Sequence, residues 1–153
     1  MQKQFEILNT TRNNILKSVE DLSLKQLNTV PSGFKNSVAW NIAHLVVTQQ
    51  LLCYKLSNLE LNIDASFVDR FKKGSGVSEI SQSELLVVKA QLMELPIKLK
   101  EDYAIGLFKS FNEYPTSYGV TLLNIEDAIQ FNNVHEGLHF GYIMAMKKQL
   151  ITK

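Results

Sequence analysis

The stretch Asn132-Asn133-Val134-His135-Glu136-Gly137-Leu138-His139-Phe140-Gly141-Tyr142-Ile143 places two of the chain's three histidines four residues apart. It sits within a longer apolar periodicity. Ile125, Ala128, Ile129, Leu138, Ile143, Met146 and Leu150 fall near one stripe, which predicts a helix from about Asn124 to Gln149 with Asp127 in its first turn. On a helix, residues i and i+4 stand one above the other, so both imidazoles can meet one metal ion. The pair falls in line with Asn132, Tyr142, Ile143 and Met146, a face expected to point inward.

The third histidine, His44, lies in Ser37-Val38-Ala39-Trp40-Asn41-Ile42-Ala43-His44-Leu45. Asn36 or Ser37 can cap a helix that runs to about Ser57. This helix is so apolar that it must be buried on much of its circumference. His44 shares a side with Trp40, Val47 and Leu51. One interior histidine is more often a hydrogen-bonded core residue than a ligand. Two on one interior face, and a third with no histidine elsewhere, shift the balance to metal, because uncompensated imidazoles are costly to bury. Three imidazoles leave a coordination position open, as in catalytic zinc sites, and imidazole also suits nickel, iron and copper. The expected cofactor is a divalent transition metal, Zn²⁺ or Ni²⁺ first, with Fe²⁺ or Mn²⁺ behind them.

Two other helices complete the pattern. The first runs from about Gln4 to Glu20, with Phe5, Leu8, Ile15, Leu16 and Val19 on one face and Asn, Arg and Lys on the other. A short helical turn follows near Leu22–Leu27. Another helix spans Ser81 to Tyr103, opened by a capping box of Ser81 and Glu84, with a kink or break expected near Leu92–Leu95 ahead of Pro96. A long connection, 58–80, carries Arg70, Lys72 and Lys73 and then Gly74-Ser75-Gly76. A second irregular stretch, 108–120, is rich in Phe and Tyr. No strand is predicted. These elements describe a single all-α domain over 1–153, a four-helix bundle whose long middle connection argues against simple up-down-up-down order.

Composition excludes several functions. The chain has 16 Lys+Arg and 15 Asp+Glu, a net charge of +1, and no basic run, so nothing marks a nucleic-acid footprint. No apolar run reaches the roughly 18 residues of a membrane span, and the first residues lack a secretory pattern. Cys53 stands alone, which fits a reducing, cytoplasmic setting; a lone cysteine in an apolar helix is ordinarily a small hydrophobe.

His135-Glu136-Gly137-Leu138-His139 also satisfies H-E-x-x-H, in which Glu136 would be the general base of a metalloprotease. The absence of strand signals and of a downstream third ligand argues against that reading, although Glu136 remains a candidate catalytic residue beside the metal. Asn41, Gln49, Asn132 and Asn133 are candidate partners for the imidazole N–H groups. Arg70, Lys72 and Lys73 could meet an anionic substrate.

Taken together, the Trp40–His44 stretch and the 132–143 stretch resemble the DinB-like superfamily. The first is similar to that family's second-helix pattern of Trp, a small residue and His. The second is similar to its last-helix pattern of His, three residues and His, followed by Gly and an apolar residue. The resemblance implies a four-helix bundle in up-down-down-up order, frequently a homodimer, with metal ligands at His44, His135 and His139. It also implies a metal-dependent enzyme, a thiol-dependent S-transferase or isomerase that uses a low-molecular-weight thiol; the open position of a three-histidine site suits a hydrolase of a small electrophilic molecule as well. A bound metal favours the thiolate over the thiol. The competing expectation is a non-catalytic, dimeric metal-binding or stress-response module.

Overall fold

The periodicities become helices in a computed structural model that describes residues 1–151; Thr152 and Lys153 of the expected span lie outside the described residues. Helix α1 covers Gln2–Ser18 and α2 covers Leu24–Asn28. Helix α3 covers Val38–Gln49 and continues as a π-helical segment, Gln50–Lys55. Helix α4 covers Ala65–Phe71, α5 Gln82–Ala104 and α6 Ile125–Ile151. Strands β1 (Tyr114–Pro115) and β2 (Thr121–Leu122) form one antiparallel pair.

Local chemistry explains the boundaries. Ser23 opens α2 and Ser81 opens α5, each with a full capping box, closed by Gln26 and Glu84. The Ser37 hydroxyl accepts the Trp40 N–H at 3.1 Å and starts α3. The second predicted helix was expected to stay α-helical to Ser57. Instead it widens at Gln50, where the Leu56 N–H reaches back five residues to the Leu51 carbonyl at 3.2 Å. The 58–80 connection is not bare loop, since α4 lies inside it. The unpredicted hairpin is too short for strand alternation to show. It is closed by the Thr116 N–H on the Val120 carbonyl at 2.9 Å and by Gly119 at φ 85°.

Of the kink or break expected near Leu92–Leu95, the break does not occur: helix α5 runs unbroken through Pro96. Proline lacks the N–H that would bond the Leu92 carbonyl. Arg12 from α1 supplies the replacement, its Nη1 donating to Leu92 O at 3.1 Å. Arg12 itself corrects the reading of α1, where arginine was assigned to the polar face: the side chain is fully buried. All five of its N–H donors are used, on Glu136, Gln49, Leu45 O and Leu92 O.

Helix α1 packs on α5 and α6, and α3 packs on the same two helices. Buried apolar residues fall in two clusters. One holds Ile15, Leu45, Leu92 and Met146; the other holds Leu8, Leu52, Leu99 and Ile129. Arg12, Gln49, Asn132 and Glu136, all at 0% exposure, come between them in sequence along α1, α3 and α6. Cross-helix hydrogen bonds link Gln4 with Asn133, Arg12 with Glu136 and Ser18 with Lys147 along α1 and α6. Gln49 with Leu95 and Tyr54 with Asp102 link the α3 segment to α5. Leu138 and Tyr142, expected on interior stripes, are instead half-exposed on α6. No helix among the described residues is long and apolar enough to cross a membrane.

Candidate metal centre

Helices α3 and α6 bring the three histidines together. Ring centroids lie 5.1 Å apart for His44 and His135, 4.8 Å for His44 and His139, and 4.3 Å for His135 and His139. One nitrogen from each ring can be chosen so that all three lie within 4.8 Å of one another. That is a small side-chain adjustment from the roughly 3.4 Å spacing set by tetrahedral Zn–N bonds of about 2.1 Å.

The partners of the rings decide which nitrogen is free. His44 Nδ1 lies 2.6 Å from the Phe71 carbonyl, which can only accept, so Nδ1 carries the proton and Nε2 keeps its lone pair. Thr48 Oγ1, 3.2 Å from Nε2, donates to it. His139 Nδ1 lies 2.7 Å from Asn41 Oδ1 and is the proton-bearing nitrogen by the same logic. The Asn41 amide is held in turn by its Nδ2 donating to Ser37 O at 2.8 Å. Of the four predicted partners, Asn41 alone bonds an imidazole. Gln49 accepts from Arg12, Asn132 donates to Glu136 and Asn133 donates to Gln4. His135 Nδ1 is buried without a hydrogen-bond partner.

Electrostatics favour neutral rings. Burial lowers the His135 pKa to about 2, with His139 and His44 adding to the shift. Burial lowers His139 to about 4, again helped by His44. His44 is also lowered by burial, opposed by its bond to the Phe71 carbonyl. Neutral imidazoles with an oriented, unprotonated nitrogen are what a transition metal requires. The donor set fits a divalent transition ion. Trp40 stacks on His44 at 4.6 Å and 14° and fixes the ring plane from behind.

A cavity of about 630 Å³ opens over His44 and His135. The π-helical segment contributes Leu51, Leu52 and Lys55, α6 contributes Phe131, and the hairpin contributes Tyr114. The segment after α5 is fastened to the end of the π-helical segment, with Asn112 N donating to Leu56 O at 2.6 Å and Ser110 Oγ to Ser57 O at 3.2 Å.

Glu136 is not among the cavity residues. Its Oε1 accepts from Arg12 Nη2 at 2.6 Å and from Asn132 Nδ2 at 3.3 Å. Burial pushes its carboxyl upward, and Arg12 opposes that. The basic stretch divides. Arg70 pairs with Glu84 and Lys72 with Asp69, leaving Lys73 to line the cavity. Burial pushes the Cys53 thiol up to about 12, so it behaves as a core residue.

Among the residues that shape the centre, Arg12, Thr48, Lys55 and Phe71 escaped the sequence reading. Arg12 had a signal, because Phe5, Leu8, Arg12, Ile15 and Val19 keep a 3-4 spacing with Arg12 in the seam. Lys55 depends on the π-helical geometry and Phe71 on a backbone carbonyl, neither of which a side-chain pattern reveals.

A mostly helical chain that gathers three neutral imidazoles beneath a cavity is, as a class, a helical protein with a candidate metal site. The family model of the DinB superfamily matches residues 7–143, and the chain belongs to that superfamily. The matched span holds all three histidines. No curated protein matches the chain.

Proposed function

We propose that the protein is a metal-dependent enzyme that transforms a small molecule in the cavity above His44 and His135, with His44, His135 and His139 as the ligands of one divalent transition ion. The observation that carries this is the convergence of three neutral imidazoles beside a cavity large enough for a substrate. Bound there, the ion supplies Lewis-acid polarisation and favours the deprotonated form of a nucleophile such as a thiol. Phe71 O and Asn41 Oδ1 orient the His44 and His139 rings, and the Thr48 hydroxyl is positioned to bond His44 or a ligand in the cavity. Leu51, Leu52 and Phe131 line the same space with apolar surface. Glu136 is proposed to serve by holding α6 against α1 through Arg12, since its bonded oxygen is committed to that contact. A thiol-dependent S-transfer or a hydrolysis is the reaction class proposed.

The fold proposed for the single domain is the four-helix bundle in up-down-down-up order. The senses of the cross-helix contacts support it. Contacts ascend together along α1 and α6, and along the α3 segment and α5. Along α3 and α6 they run in opposite senses, from Asn41 with Met146 to His44 with His135.

Metal analysis by mass spectrometry tests the centre. Untagged protein should carry about one equivalent of a divalent transition metal, as one three-imidazole site requires, and His135→Ala should carry none. Metal-loaded protein should then turn over electrophiles with at least one low-molecular-weight thiol, or hydrolyse them. Stoichiometric metal with no turnover, and a large fall in melting temperature for His44→Ala, would favour the non-catalytic metal-binding module.

A further inference from the structure

The walls of the cavity are chemically one-sided. Among the residues lining it there is no Asp or Glu, yet two lysines are present, Lys55 from the π-helical segment and Lys73 from the chain after α4. In a protein of net charge +1, this is a local concentration of positive charge rather than a general one. Neither lysine forms a hydrogen bond or ion pair among the described residues, whereas nearby Arg70 and Lys72 are both paired. Lys55 acts through space on the Asp69 carboxylate, which is already bonded to Lys72 at 2.7 Å. Between the lysines, Leu51, Leu52, Leu56 and Phe131 supply an apolar surface. The π-helical segment makes this arrangement: its widened turn sets Leu51, Leu52 and Lys55 on one wall.

We infer that the cavity selects an anionic, amphipathic small molecule, its apolar body lying on the leucines and Phe131 and its carboxylate or equivalent anion meeting Lys55 and Lys73. The inference rests on the proposed function for its meaning as substrate selection, but the binding itself depends on the lysines and not on the metal. A charged group aimed at unpaired ammonium groups in a partly enclosed site forms charge-assisted bonds that a hydroxyl cannot match.

The test compares 4-phenylbutyrate with 4-phenylbutan-1-ol, two probes of the same apolar body, by calorimetric titration of the full chain at low salt. Metal content is measured on the same preparations. The carboxylate should bind at least about tenfold more tightly than the alcohol, the scale of one charge-assisted bond. The preference should shrink as salt is raised and fall to near unity in Lys55→Gln/Lys73→Gln, with the circular dichroism unchanged. Both lysines are exposed, so their loss leaves the core intact. Equal affinities in the parent protein overturn the inference. So does a preference that survives in the double variant, because the anion would then be held elsewhere, for instance by a bound metal. A lysine-dependent preference in protein that takes up no metal would uphold the inference and overturn the proposed reaction; full metal with no preference would overturn the inference and leave the proposed reaction to its own turnover test.

Discussion

At the scale of single residues, the histidines carry a stability signature as well as a binding role. All three are held below the ordinary imidazole value of 6.5 by burial. The unfolded chain therefore binds protons at these rings as pH falls through 6.5, while the folded, metal-free chain does not. Proton uptake favours the unfolded state, so the stability these groups permit is complete above 6.5 and is lost as pH falls toward about 4, the value of His139. Denaturant titrations of chelated protein between pH 7.5 and 5.5 should show a falling midpoint, and His44→Asn/His135→Asn/His139→Asn should flatten that slope. A slope unchanged by the triple substitution would locate the titration elsewhere. Arg12 and Glu136 form the other residue-scale dependency. Both side chains are fully buried and joined at 2.6 Å. Arg12→Met should cost about 3–5 kcal/mol, because it strands a buried carboxylate and two carbonyls. Arg12→Met/Glu136→Leu should cost markedly less than the sum of the single changes, with a coupling energy of about 1–3 kcal/mol by urea denaturation. Additive losses would mean that the pair does not act as a unit.

At the scale of elements, α5 shows how one helix is completed by another. Interior proline ordinarily costs a helix about 3 kcal/mol, through the lost hydrogen bond and the ring clash. Here the orphaned Leu92 carbonyl already has Arg12 as donor, and the neighbouring Leu95 carbonyl accepts Gln49 Nε2 at 3.2 Å. Pro96→Ala should therefore stabilise the protein by well under about 1 kcal/mol, read as a shift in urea midpoint at constant slope. A gain near the full propensity value would show that the Arg12 contact compensates for nothing. The π-helical segment is the other element with consequences. An α-helix carried to Ser57, as periodicity suggested, would turn Leu52 and Lys55 to different bearings and alter the wall of the cavity.

At the scale of the whole molecule, the surface of α6 matters. Val134, Leu138 and Tyr142 follow one another at intervals of four, each about half-exposed, and Gly137 and Gly141 beside them leave open space where side chains would stand. An apolar face of this kind fits the homodimer that the family resemblance implies. Leu138→Glu should convert a dimer to monomer in sedimentation equilibrium while leaving helix content unchanged. Sedimentation as a monomer in the parent protein would overturn that expectation. Because His135 and His139 lie on the same helix as this face, metal content of the Leu138→Glu protein also reports whether assembly shapes the site.

The sequence alone determined the long helices and which three histidines would meet. Helical period, serine caps and the capping box at Ser81 are local, and local signals survive without a fold. The i, i+4 pair at His135 and His139 is legible for the same reason, and His44 followed because the chain has no other histidine. What tertiary structure decided was everything that depends on a partner distant along the chain. Arg12 is interior because Glu136, 124 residues away, and two carbonyls on other helices take its donors. Pro96 leaves α5 whole because Arg12 arrives from α1. The His44 tautomer is set by a backbone carbonyl at Phe71, which has no side-chain signature. One wall of the cavity comes from a hairpin of two-residue strands that follows a segment bonded to the end of the π-helical turn. Spacing in sequence encodes which side chains share a face; which groups satisfy one another in the interior is settled only when the faces meet.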